Sequence, residues 1–311
     1  MKRILLLIAV FIGLMFLPFL LVKEKEETVV EVVTEVEVDC PILIEVKGEQ
    51  EKIPLEEYVL GVVAAEMPIS FHEEALKAQS IAARTYVLRE TDYGKRAIDP
   101  TVQKQVYVSL AGRKEKWGSS FEENEKRLEA VVAATEGQVI VYKNQLITAM
   151  FFSTSNGQTE SAADYSGFDI PYLVSVPSMD EELYAKNREK QFEFTGDRFA
   201  KAFGLQWKAG LGDTLKITKT DSNRVKEMEL GGKSWTGRDV RDLLGLPSTD
   251  FEITFHAEKV VVETVGYGHG VGMSQYGAQV LANDSREAKE ILLHYYTGTE
   301  IKNFSPCLKS P

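Results

Sequence analysis

Residues Ile4 to Val22 carry no charged side chain, and this run limits first what the rest of the chain can become. As a helix rising about 1.5 Å per residue, it matches the roughly 30 Å hydrocarbon core of a bilayer. Lys2 and Arg3 precede it and no small-residue A-x-A pattern follows it. The sequence therefore predicts a cytoplasmic stub and transmembrane signal anchor over residues 1–22, with the remainder outside the cytoplasm. A cleaved signal peptide is the alternative, and export holds in either case. Residues 23–39 alternate acidic residues with valine, a pattern that suits a stalk grading into an edge strand. Residues 40–311 then suffice for one large domain or two closely packed lobes.

The formal net charge of -11 argues against nucleic acid, which demands a basic groove. It also forbids long-range steering toward an anionic polymer. The chain has two cysteines, Cys40 and Cys307, near the ends of the exported part; a disulfide pinning those ends and a pair of free thiols are both open. His72, His256, His269 and His294 show no paired ligand spacing, so neither a metal nor another cofactor is expected.

In the exported part, helical and strand periods alternate. A helix is expected over 55–65 and a second over 72–89, the latter rich in small residues that let a neighbour approach closely. A third amphipathic helix carries Phe121, Leu128, Val131, Val132 and Thr135, with Gly137 as its C-terminal cap. Hairpins are expected from QVIVY with LITAMFF, from KITKTDSN with VKEMELGG, and from DFEITFH with KVVVETV. Short helices are expected near 196–203 and in SWTGRDVRDLLG, and another runs through SREAKEILLHYY. The mixture is α+β, built from helices and antiparallel hairpins.

Glu66 is out of place in this pattern. Val59, Val62, Val63 and Glu66 follow i, i+3, i+4, i+7 spacing, so a carboxylate ends an apolar stripe just before Met67-Pro68. Desolvation and the negative end of the helix dipole both favour its protonated form, which describes a general acid. The bland alternative is a solvated glutamate at a frayed end. Arg84 and Gln79 on the second helix are candidates for reaching over it, against the alternative of a salt-bridge arginine. Gly266, Gly268, Gly270 and Gly272 surround His269 between a strand and a helix. The string is too weak a dinucleotide signal; its glycines would rather let backbone approach a ligand while presenting His269, Ser274, Gln275 and Tyr276. A tight structural turn holding a satisfied histidine is the alternative there.

Taken together, YVLGVVAAEMP, ALKAQSIAARTY, QVY at 105–107, STSNGQTE and GHGVGMSQYGA, in this order behind an apolar N-terminal run, resemble the stage II sporulation protein D family of endospore-forming bacteria. The resemblance implies a membrane-anchored peptidoglycan lytic transglycosylase that cleaves the MurNAc–GlcNAc bond and leaves 1,6-anhydro-MurNAc ends, preferring glycan already stripped of stem peptides by an amidase. It implies that Glu66 is catalytic, that Arg84 is an active-site arginine, and that Gln105, Tyr107, Ser153, Ser155, His269, Ser274, Gln275 and Tyr276 bind substrate along the groove. It also implies a place at the mother cell–forespore septum during engulfment, with stage II sporulation proteins P and M as partners. Some clostridial relatives carry zinc-binding cysteines and histidines; here no cysteine lies between Cys40 and Cys307, so no metal is carried over. Because amidase-enhancer proteins share the domain, a non-catalytic peptidoglycan-binding activator of an amidase is the competing reading.

Overall fold

A computed structural model describes residues 41–304 apart from 102, 103 and 179. The expected membrane span, the acidic stalk and both cysteines lie outside the described residues. Among those residues no helix is long and apolar enough to cross a membrane.

Small residues place one helix at the centre. After a short antiparallel pair, β1 (Leu43–Ile44) with β2 (Ile53–Pro54), helix α1 covers Leu55–Glu66. It stops because Met67 precedes a proline and is pushed into extended conformation, at φ -121° and ψ 146°. Helix α2 (Glu73–Glu90) is capped by His72, whose Nδ1 accepts the Glu74 amide at 3.2 Å. Ala75, Ala78, Ala82 and Ala83 of α2 are wholly buried, and this narrow surface lets several elements close on it at once. The expected third helix is preceded by one the sequence left unassigned, α3 (Leu110–Trp117), capped by Ser109. The helix that follows it is α4 (Phe121–Ala133). Buried Arg113 of α3 pairs with Glu57 of α1 and Glu125 of α4, tying these helices together.

The first hairpin forms only in part. Strand β3 (Gln138–Tyr142) pairs with β4 (Gln145–Leu146), turned by Lys143 and Asn144 at φ 48° and 63°, as a two-residue turn of the primed type requires. The expected second strand then breaks, because the Met150 carbonyl is taken by Met273 N–H at 3.1 Å and Tyr296 Oη at 2.8 Å. Its remainder is a separate strand, β5 (Phe151–Phe152). A short helix, α5 (Ala162–Ser166), follows.

Residues 189–265 form a second lobe inserted into the first. It comprises β6 (Glu189–Thr195), α6 (Gly196–Ala202), β7 (Lys216–Lys219), β8 (Val225–Leu230), β9 (Lys233–Thr236), α7 (Gly237–Leu244), β10 (Phe251–Phe255) and β11 (Lys259–Val265). Two antiparallel sheets result, ordered β7-β8-β9 and β10-β11-β6. Their core is separate, with Phe194, Phe199, Met228, Val240, Phe251 and Val262 buried together. The chain then returns to the helical lobe as β12 (Met273–Ser274), α8 (Gln275–Asn283), α9 (Ala288–Tyr295) and β13 (Glu300–Asn303). β12 pairs in parallel with β5, and β13 pairs antiparallel with β3. The fold is α+β, as the alternating periods imply.

Candidate active site

Glu66 ends α1 half-buried, between two segments distant in sequence. Its Oε1 accepts the backbone N–H of Val106 at 3.1 Å, and its Oε2 is approached by the Gln275 side-chain amide at a longer 3.4 Å. Burial pushes its pKa above the usual carboxylate range; the Val106 and Gln275 hydrogen bonds and the Lys116 ammonium oppose that rise without reversing it. Lys116 also donates to the Ala64 carbonyl at 2.7 Å, setting a cation against the negative end of the α1 dipole.

A glycine brings the Val106 donor into place. Gly61 lies five residues before Glu66 in α1, and a Cβ there would fall 2.3 Å from Cε2 of Tyr107. Because that Cβ is absent, residues 106–108 lie directly on the helix, with Val108 N–H bonded to Gly61 O at 3.2 Å. Tyr107 stacks on Tyr58, the ring centroids 5.4 Å apart and the planes within 4°. Gln105 is fully buried and does not face the cleft: it accepts from Tyr58 Oη and donates to Ala83 O, both at 3.2 Å. Of the QVY residues, then, Gln105 and Tyr107 set the wall, while a backbone group between them meets the acid.

The opposite wall is the start of α8. Ser274 caps this helix through the Gly277 amide, which aims the next residue, Gln275, at Glu66. Tyr276 donates its backbone N–H to Ser153 O at 3.0 Å and sets its ring against Phe71 with centroids 5.0 Å apart. Ser153 is half-buried at this junction, its hydroxyl 3.1 Å from that of Thr154. Val106 and Gln275 thus meet at Glu66, with Tyr107 beside the first and Ser153 and Tyr276 joined beside the second.

Other expected positions are corrected. Arg84 does not reach over Glu66. It is fully buried at the far end of α1, paired with both carboxylate oxygens of Glu56 and donating to Gln138 O at 3.2 Å. Glu56 lies ten residues before Glu66, about 15 Å along a helix. Gln79 is buried too, and neither of its side-chain amide atoms has a partner among the described residues. Ser155 is sealed inside by Glu181 and Ser178. His269 accepts the Val271 amide on Nδ1 at 3.0 Å and packs near Phe152 and Tyr165. Burial and nearby arginines push its pKa down to about 4, so it is a neutral strut. The glycines around it approach the protein itself: a Cβ on Gly272 would strike Met150 O at 2.0 Å, and one on Gly268 would meet Phe152 Cβ at 2.8 Å. They seat the loop on β5 so that Gln275 arrives at Glu66.

The Val106 amide, Lys116 and Glu181 escaped the sequence reading. A backbone donor has no residue signature, Lys116 belongs to the unassigned α3, and Glu181 sits where periodicity is weak. Among the described residues no group of three or more His, Cys, Asp or Glu side chains could hold a metal ion.

Part of this site falls where a known family matches. Residues 46–142, which contain Glu66 and the Val106 segment, match the family described as "Stage II sporulation protein". The chain is 42% identical over 273 residues to stage II sporulation protein D of Bacillus subtilis, covering 85% of this chain and 79% of that protein. It is 42% identical over 259 residues to the protein of the same name from Bacillus amyloliquefaciens, covering 81% and 75%. It is also 28% identical over 300 residues to the amidase enhancer of Bacillus subtilis, covering 78% of this chain but 40% of that protein. Identity of that extent means that the chain belongs to the stage II sporulation protein D family.

Proposed function

We propose that the chain is a peptidoglycan lytic transglycosylase with Glu66 as its single catalytic residue. The observation that carries this reading is one carboxyl group, raised in pKa by burial yet contacted on each oxygen by a separate donor. In the first step the Glu66 O–H proton passes to the glycosidic oxygen as the bond from C1 of MurNAc to that oxygen breaks. In the second the carboxylate takes the proton of the C6 hydroxyl of the same sugar while O6 bonds to C1. Atoms balance without water, and the attack is intramolecular, which avoids the entropy of capturing a second molecule. An ordinary glycosidase needs two carboxyl groups for the same bond; here one serves both steps.

The acid form of Glu66 is required first, so the rate declines as pH rises through its raised pKa. The direct test is Glu66→Gln on glycan stripped of stem peptides, with anhydro-sugar products counted by mass spectrometry. We expect a loss of about a hundredfold or more with the melting temperature retained; normal yield from the variant sinks the mechanism. The amidase enhancer's similarity supports a second reading, a binding module that activates an amidase, under which the chain alone releases no product from stripped glycan. The same proposal places the catalytic lobes outside the membrane, tethered through residues 4–22, near stage II sporulation proteins P and M.

A further inference from the structure

Beneath the first turn of α8 lies a second carboxyl group, one that does not open onto the cleft. Glu181 begins the short 3-10 turn Glu181–Leu183 and is fully buried. Its Oε2 accepts the Ser155 backbone N–H at 2.7 Å, and its Oε1 accepts from the hydroxyls of Ser155 at 2.7 Å and Ser178 at 2.6 Å. The Tyr295 phenol, 2.7 Å from the Ser178 hydroxyl, turns that hydroxyl toward the carboxylate. Buried Arg224 adds its field from the inserted lobe. A Cβ on Gly277, in the first turn of α8, would stand 2.8 Å from Glu181 Oε1 and 2.0 Å from Tyr295 Oη. The helix backbone therefore rests on this group.

Burial pushes the pKa of Glu181 up, against the hydrogen bonds from Ser155 and Ser178; a buried carboxyl group with no salt-bridging cation among the described residues costs more than an apolar side chain in the same space. What Glu181 gains is a grip on both pieces of chain that present Gln275. Ser155 follows Ser153, whose carbonyl accepts Tyr276 N–H at 3.0 Å and the Ser274 hydroxyl at 3.3 Å. Gln275, between Ser274 and Tyr276, is the side chain that meets Glu66. Building on the reading of Glu66 as proton donor, we propose that Glu181 is a positioning residue: by holding Ser155, Ser178 and the first turn of α8, it fixes the Gln275 amide against Glu66. The other groups facing Glu66 are the Val106 N–H, Lys116 and Tyr58, and none of them touches Glu181.

The test uses the full chain in detergent, with carboxyl carbons of glutamate labelled for NMR titration and Glu66 assigned by its absence in Glu66→Gln. Glu181→Gln, Gln275→Ala and the double variant are compared with the unaltered chain, both in titration and in rate on stripped glycan. The expected result is an upward shift of the Glu66 titration and a rate loss of about tenfold in each single variant, with the double variant no worse than Gln275→Ala. A folded Glu181→Gln with the Glu66 titration unmoved overturns the proposal, as do rate losses that multiply in the double variant. Should Glu181→Gln fail to fold, Ser178→Ala removes one donor, leaves the carboxylate in place, and is judged by the same shift. If the unaltered chain releases no anhydro-sugar, the catalytic reading fails, while the titration still decides whether Glu181 positions Gln275.

Discussion

A methyl group added at Gly61 disturbs Glu66 without touching it. The Cβ of Gly61→Ala would fall 2.3 Å and 2.6 Å from Cε2 and Cδ2 of Tyr107, and 2.7 Å from the Val108 carbonyl oxygen. Carbon contacts settle at about 3.5–4.0 Å, so ring and backbone retreat by about 1 Å or more. Tyr107 is stacked on Tyr58, and Val108 is hydrogen-bonded to Gly61 itself, so the displacement passes to the whole 106–108 segment. The Val106 N–H bond to Glu66, now 3.1 Å, then exceeds hydrogen-bonding length. For stability two terms oppose: alanine gains about 1 kcal/mol over glycine inside a helix, and overpacking costs about 1–3 kcal/mol. The net is a loss of up to about 2 kcal/mol. For activity the lost donor and the shifted wall together cost about ten- to a hundredfold. Since the Val106 bond holds the Glu66 pKa down, the alkaline decline in rate should also move to higher pH. Thermal melting with initial rates of anhydro-sugar release across pH measures all three effects. A variant stabilised by the full helical gain, with an unchanged pH profile, refutes the reasoning.

Two further substitutions test the electrostatics. Lys116→Met removes a cation that lowers the pKa of Glu66, so the alkaline decline should again move upward, and should do so less at high salt, where the charge is screened in the unaltered chain; an unmoved profile at low salt counts against it. Arg84→Ala leaves Glu56 without its buried partner, and because Glu56 is partly exposed the cost is discounted to about 2–3 kcal/mol. Denaturant unfolding should show that loss while the folded fraction keeps its rate on glycan; a stable but inactive variant would return Arg84 to the cleft.

The half-buried place of Glu66 at the end of α1 was legible in the sequence because its signal is local: a helical apolar stripe, a carboxylate at its end and a proline after it. The same holds for α1, α2, α4 and the hairpins of the inserted lobe, whose patterns run within one element. What failed depends on distant partners. LITAMFF alternates like a hairpin strand, yet Met150 is claimed by residues 273 and 296. β6 was missed because EKQFEFT alternates too briefly to stand out until β11 pairs with it. Arg84 lies in one of the segments that carry the family resemblance, but a guanidinium's destination is set by whichever carboxylate is nearest in space, and that is Glu56. The glycine string around His269 had the right composition for close approach, with the wrong visitor expected: it is β5, not a ligand.

Under the mechanism proposed for Glu66, one carboxyl serving as acid and then base must meet two conflicting demands. Too exposed, it is ionised before substrate arrives; too deeply buried, it keeps its proton and cannot take the second one. The two oxygens of Glu66 resolve this unequally. Oε1 is held by a backbone N–H that cannot rotate away, whereas Oε2 faces a side-chain amide at the longer distance. The proton to be delivered is therefore better carried on Oε2, where the competing donor is weaker. Once it leaves, the charge that develops on Oε2 attracts the Gln275 amide, and a hydrogen bond to an ionised oxygen is stronger and shorter than one to a neutral acid. The contact thus gains strength in the state that must act as a base, and adds little in the state that must act as an acid. That difference between states is what can lower a barrier, and it requires a Gln275 held close enough to tighten yet not already tight, which is the placement that Glu181 and the first turn of α8 maintain.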